Sequence, residues 1–338
     1  MVQKLSIGIV APSAKVPKIE LKLGLEKLRA EGFAVDVHPQ CAKSHLFFAG
    51  TDEQRAQGFF DFAQSSKYSV IWCARGGHGA IRVLPILERM ALEQGLPGKK
   101  LLIGYSDSTA LMEYVRCEWG WSILHAPMPS MRTFSILDEQ DWAALKSWIQ
   151  GDIIAPPWAL TPLSFWTPAP KSSLVAPLIG GNLTVWNCLL GTRFQGRADG
   201  CMLFLEDVHE PLYRIDRMLQ QLLISGSLNN VRAIVLGNFM DCKDSVPSVL
   251  KSAPTAKNKM RMLTAAKPSE LQPLRKPMAE KKLLKELFSE LGAHLQIPVL
   301  YGLPVGHGPE ISPLPLGAMY RLTPQARLEL VSWSWLIS

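Results

Sequence analysis

KLLIGYSDSTALMEYVRCEWG, residues 100–120, passes from a β-rich apolar run into a segment with 3.6-residue periodicity through a single polar turn. An apolar run of this length suits a strand buried on both faces, and the segment from Thr109 onward suits a helix, so the stretch predicts strand, turn, helix. The same alternation recurs on either side. Upstream, LSIGIVA precedes IELKLGLEKLRAEG, FAVDVHP precedes TDEQRAQGFFDFAQ, and SVIWCA precedes AIRVLPILERMALEQ; downstream follows SILHAP. Repeated strand–helix pairs predict an α/β domain over residues 1–150, a parallel sheet flanked by helices. Ligands of such sheets bind beyond the carboxyl ends of the strands, which singles out two loops, ARGGHGA after SVIWCA and YSDST after KLLIG.

Residues 151–177 break the pattern, because their closely spaced prolines disfavour a long helix or a central strand, and they read as a linker. Trp158, Phe165 and Trp166 within it either pack between domains or cover a cleft. Residues 178–338 mix helical and strand-like segments without a fixed repeat and form the expected C-terminal mixed α/β domain. With 338 residues, 47% of them apolar, two globular domains are expected. The opening MVQKLSIGIVAPSA is too brief in its apolar part for a signal segment. No run approaches the roughly 18 apolar residues that span a bilayer, so a cytoplasmic protein without membrane partners is expected.

The net charge of +7 is mostly local. Residues 243–276 hold eight basic residues against Asp244 and Glu270, interleaved with Pro247, Pro254, Pro268 and Pro273. This composition reads as a mobile basic insertion over about 241–277, not as a folded nucleic-acid-binding face. The six cysteines, Cys41, Cys73, Cys117, Cys188, Cys201 and Cys242, show no C-x-x-C pair, so neither structural zinc nor a disulfide framework is expected. Most read as small buried hydrophobes.

Four features carry candidate chemistry. Ser106 sits on the strand-to-helix turn, where a nucleophile would stand exposed before backbone N–H groups, yet the turn lacks the final glycine of G-x-S-x-G. Ser106, Asp107 and Ser108 also read as helix N-caps. The glycines Gly76, Gly77 and Gly79 suit an anion nest, half of an oxyanion hole, or a plain turn; Gly180-Gly181-Asn182 is similar. Glu206 and Asp207 end a strand before Pro211 and a helix with Leu212, Ile215 and Leu219 on its apolar face. Glu206 there either orients a histidine or favours the helix dipole, the latter role fitting Glu210 better. Arg214 and Arg217 either bind a carboxylate or form ion pairs. Among His38, His45, His78, His125, His209, His294 and His307, the last stands out, set in GLPVGHG where glycines leave the ring accessible. No H-E-x-x-H or H-x-H spacing appears, so no metal is expected.

Taken together, GIVAPS, ARGGHGA, IGYSDSTAL, APLIGGNLTV, LFLEDVHEPLYRIDRML and GLPVGHG resemble, in order and across most of the chain, the serine LD-carboxypeptidase family. That family comprises the muramoyltetrapeptide carboxypeptidases and the related microcin-immunity peptidases. The resemblance implies Ser106 as nucleophile, His307 as general base and Glu206 as its orienting carboxylate, with Gly77 and Asp107 N–H groups as the oxyanion hole. It also implies an active site in the interdomain cleft, no cofactor, and a homodimer. The expected reaction removes a C-terminal D-alanine from an L-configured centre in murein tetrapeptides during peptidoglycan recycling. Two departures bear on substrate detail: His78 stands where tyrosine is expected in RGGYG, and the basic segment is longer than usual. The alternatives are a microcin-immunity type of peptidase acting on peptidyl or aminoacyl nucleotides, and a non-catalytic module for an anionic ligand.

Overall fold

The computed structural model describes residues 5–135, 137–151, 157–163, 169–243, 280–308 and 311–335. Its N-terminal half alternates β1 (Ser6–Val10), α1 (Lys18–Ala30), β2 (Ala34–Val37), α2 (Asp52–Gln64), β3 (Val70–Cys73), α3 (Ala80–Gln94), β4 (Leu101–Gly104), α4 (Thr109–Glu118) and β5 (Ser122–His125). Every residue of β3 and of β4 is buried, as parallel strands covered on both faces require. The five strands are parallel in the order β2-β1-β3-β4-β5. The order reverses between β1 and β3, so the crevice where ligands bind opens beyond the carboxyl ends of those strands. Helix starts follow local chemistry: Thr51 and Gln54 form a reciprocal capping box at α2. Two further helices, α5 (Arg132–Ser135) and α6 (Glu139–Gln150), end this half.

The C-terminal half runs β6 (Trp158–Ala159), β7 (Thr161–Pro162), β8 (Leu174–Asn182), α7 (Leu183–Cys188), β9 (Met202–Val208), α8 (Leu212–Ile224), β10 (Ala233–Met240), α9 (Glu280–Leu295), β11 (Val299–Tyr301), β12 (Leu314–Leu316), β13 (Met319–Leu322) and β14 (Arg327–Ser332). Eight of these strands form a mixed sheet, β6-β14-β13-β8-β9-β10-β11-β7. The architecture is thus α/β with two sheets. No helix among the described residues is long and apolar enough to cross a membrane.

Two details differ from expectation. β8 begins at Leu174, inside the stretch read as linker, and lies centrally between β13 and β9. Pro177 is tolerated because the ladder to β9 starts only at Leu178, so no strand hydrogen bond needs its missing N–H on that side. In addition, β12 leaves the C-terminal half and pairs antiparallel with β5, making a six-stranded N-terminal sheet. Phe165, Trp166 and residues 244–277 of the basic insertion lie outside the described residues.

Strand alternation decides what faces the N-terminal half. In β9, Leu203 and Leu205 pack into a core with α8 residues Leu212, Ile215, Leu219 and Leu222, while Met202 and Phe204 join the core of the N-terminal sheet. By the same period of two, Glu206 points toward the N-terminal half.

Candidate active site

Ser106 opens a single 3-10 turn, Ser106–Ser108, directly beyond β4. Its φ of +62° is left-handed, a conformation that costs an L-residue about 1–2 kcal/mol and is characteristic of a sharp strand-to-helix elbow. The neighbouring strand end leaves room for it only because residue 76 is glycine: a Cβ there would lie 2.8 Å from Ser106 Cβ and 3.0 Å from its Oγ.

The glycine loop after β3 is held from three sides. Ala14 N–H donates to Gly76 O at 3.2 Å, the buried Arg55 guanidinium donates to Gly79 O at 2.8 Å and also to Pro12 O, and Arg75 donates to Lys15 O at 2.9 Å. The fourth tie comes from the serine turn itself, since Asp107 Oδ2 accepts from Ala80 N–H at 2.8 Å. Asp107 therefore caps α3, across the crevice, and Ser108 precedes α4 without a side-chain cap bond, contrary to the expectation that one of them caps α4. Burial raises the Asp107 pKa, with the Ala80 N–H opposing the rise. Gly77, the expected oxyanion donor, is exposed at the loop tip. His78 beside it is exposed and packs edge-on against Phe47 at 4.7 Å and Phe48 at 5.7 Å, and these three line a cavity of about 470 Å³ with Ile81 and Arg82.

Glu206, in β9, meets His307, in the loop after β11. Glu206 is fully buried, and its Oε2 accepts from His307 Nδ1 at 2.7 Å and from His307 N–H at 3.2 Å. With Nδ1 carrying the proton to the carboxylate, Nε2 keeps its lone pair; this tautomer is assigned from the bonding pattern. Burial opposes ionisation of Glu206, but the charge and hydrogen bonds of His307 outweigh it and hold the carboxyl below its ordinary value. Burial likewise pulls His307 down, and Glu206 overcomes it, so the imidazole sits above its ordinary value. The close approach depends on local backbone. The β9–β10 register shifts between Leu236 and Phe239, a bulge beside Glu206, and a Cβ on Gly306 would lie 2.6 Å from Glu206 Oε2.

The two halves converge here. The Tyr105 ring, next to Ser106, packs on the His307 ring at 4.9 Å between centroids, and Asn182 N–H donates to Thr109 Oγ1 at 3.1 Å. Asp207 turns away from the histidine and binds Asn182 Nδ2 at 3.0 Å and the Thr184 N–H at 2.9 Å, fixing the start of α7. Together these elements assemble a hydroxyl on a strained turn, an imidazole with an ionised carboxylate behind it, and a glycine loop tied to the hydroxyl's own turn.

Family models described as the LD-carboxypeptidase N-terminal domain and the LD-carboxypeptidase C-terminal domain match residues 7–126 and 175–322. The chain belongs to the LD-carboxypeptidase family. A relative from Synechocystis sp. is 31% identical over 94% of this chain and 90% of its own length. The murein tetrapeptide carboxypeptidase of Pseudomonas aeruginosa is 28% identical, covering 92% of this chain and 91% of that protein. The crystal structure of muramoyltetrapeptide carboxypeptidase from Oxalobacter formigenes superposes with a TM-score of 0.72 at 27% identity, covering 97% of this chain and 99% of that one. The microcin C7 self-immunity protein MccF, solved in complex with aspartyl sulfamoyl adenosine, shares the fold at a TM-score of 0.73 and 20% identity, over 100% and 98% of the chains.

This LD-carboxypeptidase is accordingly a serine-type hydrolase. Other sequence candidates fall elsewhere. Arg214 lies 3.5 Å from Glu210, an ion pair at the start of α8, whereas Arg217 stacks over the Tyr213 ring at 5.0 Å. Trp158 packs toward Tyr320 in the second sheet. Only Cys41, Cys73 and Cys242 are buried; Cys117 and Cys188 are exposed and Cys201 is intermediate, so burial describes half of the cysteines rather than most. Sequence reasoning passed over Gly306 and Arg55, and gave Gly76 and His125 no role of their own. The glycines carry no chemistry of their own, and their signal lies only in adjacency to ARGGHGA and VGHG; His125 is marked by its place at a strand's carboxyl end.

Proposed function

We propose that this enzyme removes the C-terminal D-alanine from murein tetrapeptides, with Ser106 as nucleophile, His307 as general base and acid, and Glu206 as the group that orients and charges His307. The observation that carries this reading is the buried Glu206 Oε2 to His307 Nδ1 bond of 2.7 Å, which leaves Nε2 as the base on a ring that packs against Tyr105, the residue before Ser106. His307 Nε2 takes the Ser106 proton as Oγ attacks the carbonyl, and the resulting oxyanion meets the N–H groups of Gly77 and Asp107. Each such donor contributes on the order of 3 kcal/mol to lowering the barrier. Collapse expels the D-alanine amine, which takes the proton from His307. Water then attacks the acyl ester, its proton passing to His307 and on to Ser106 Oγ as the acid leaves.

We place the reaction in the cytoplasm, in peptidoglycan recycling, with the enzyme acting as a homodimer, the setting that goes with the family resemblance; fractionation tests the location and sedimentation the dimer. The test of the chemistry is D-alanine release from a murein tetrapeptide. Ser106→Ala, His307→Ala and Glu206→Ala each abolish most of it while the fold is retained, and Ser106 labels with a fluorophosphonate. Full activity in folded Ser106→Ala ends the nucleophile assignment. Turnover of an aminoacyl-sulfamoyl adenosine with none of the tetrapeptide moves the substrate to the nucleotide-linked class, and tight salt-sensitive binding without turnover of either moves the protein to a binding module.

A further inference from the structure

β5 ends on His125, which is fully buried, and neither of its ring nitrogens has a hydrogen-bond partner among the described residues. Its ring lies between Tyr105, 5.5 Å away, and Phe204, 5.3 Å away and nearly perpendicular. A neutral imidazole always carries one N–H, and a buried donor left unpaired is costly. The matching case stands on the facing domain. Glu206 spends Oε2 on both His307 bonds, and its buried Oε1 has no partner among the described residues.

The titratable groups facing His125 are Glu206 from β9, His307 from the loop after β11, and the Tyr105 phenol beyond β4. Burial is the largest influence on His125 and lowers its pKa to about 4; the Glu206 charge opposes this and the His307 charge adds to it. The ring is therefore a neutral donor at neutral pH. Among the described residues it makes no direct bond to Glu206, and one water with two or more polar partners satisfies buried groups of this kind.

We propose that His125 is a positioning residue whose ring N–H holds Oε1 of Glu206 through one bridging water, locking the carboxylate that orients His307. His125 pairs with Gly104 in the β4–β5 register, two residues before Ser106. The bridge thus references the Glu206–His307 pair to the strand that carries the nucleophile, from one domain to the other. A fixed Oε1 also draws charge from Oε2, which moderates how strongly Glu206 raises the His307 pKa.

The inference rests on the catalytic reading given above, so its test includes a measurement independent of turnover. The His307 imidazole is titrated by NMR in the wild type, His125→Phe and His125→Gln, and the pH profile of kcat/KM is recorded for the same three proteins. In His125→Phe, Oε1 loses its donor, the His307 titration and the acid limb of the profile both move to higher pH, and kcat falls about tenfold or more with KM little changed. In His125→Gln, whose amide keeps a donor, both return toward wild type. A His307 titration in His125→Phe that stays in place or moves to lower pH overturns the proposal, as does a glutamine variant indistinguishable from phenylalanine. A moved NMR titration with activity intact in Ser106→Ala instead removes the catalytic reading and leaves the bridge standing.

Discussion

Replacing Gly306 by alanine puts a methyl group into the space that brings Glu206 and His307 together. The backbone there has φ +103°, and the new Cβ would lie 2.6 Å from Glu206 Oε2 and 2.8 Å from both its Cβ and Cγ. Glu206 cannot retreat as a whole, because its backbone is held in β9. Two costs follow. Holding an L-residue in this region costs of order 1–3 kcal/mol, and overpacking adds about 1–3 kcal/mol. If the carboxylate swings away to relieve the clash, it becomes a buried charge without its partner, and His307 loses its orientation. Misdirecting the imidazole of a catalytic triad costs on the order of 10⁴-fold in kcat. Gly302 supplies the control, since its φ is +102° and a Cβ there meets nothing within 4 Å. Gly302→Ala therefore carries the backbone cost alone. The expected result from thermal melts and D-alanine release is a similar loss of stability from strain in both variants, a further loss in Gly306→Ala, and a collapse of kcat in Gly306→Ala only. Wild-type kcat in Gly306→Ala, or equal loss of kcat in both, refutes the reasoning that this glycine exists to admit the carboxylate.

Activity should rise with pH through one ionisation above 6.5, because Glu206 raises the His307 pKa from that ordinary value and only the neutral ring accepts the serine proton; Glu206→Gln moves this limb to lower pH, read from the profile of kcat/KM. The stability contribution of the same pair runs otherwise: the His307 part is full below 6.5 and lost as pH rises through its raised value, and the Glu206 part is present above 4.5 and lost as pH falls through its depressed value. Chemical denaturation across pH should thus show the pair contributing most between these limits, where His307 is mostly protonated and turnover is low. Asp107→Ala removes the cap of α3 and should cost about 0.5–2 kcal/mol in denaturant melts, with a loss of kcat because the loop bearing Gly77 loses its tie to the serine turn.

The N-terminal half was legible because parallel strands covered on both faces must be continuous apolar runs and their helices must carry one apolar stripe; SVIWCA and KLLIGY, short and each followed by a helix-period segment, fit that pattern. Its functional loops were legible for the same reason, since a parallel sheet dictates where they gather. The second sheet was harder. Its β8 pairs with β13, from a remote part of the chain, and no local pattern announces that partnership. Pro177 argued against a central strand because sequence does not show which edge of a residue its neighbour will use. The pairing of Glu206 with His307, 101 residues apart, rested on resemblance, whereas the residues alone left Glu206 open between orienting a histidine and favouring the helix dipole, and marked His307 only as an accessible loop histidine. Asp107 shows the limit of local reasoning most clearly: it caps a helix, but one 27 residues upstream of it.

The strand β12 has a consequence for how the molecule comes into being. Pairing Leu314 with His125 and Leu316 with Ile123, it closes the edge of the first sheet with residues from near the end of the chain. During synthesis, the strand beside the one that delivers Ser106 keeps a row of unpaired backbone groups until Leu314–Leu316 has been made. The half that carries Ser106, the proposed nucleophile, is therefore unfinished for as long as the half that carries His307, the proposed base. A hydrolase whose nucleophile matures together with its base has little opportunity to act, or to be chemically trapped, as a fragment on the ribosome.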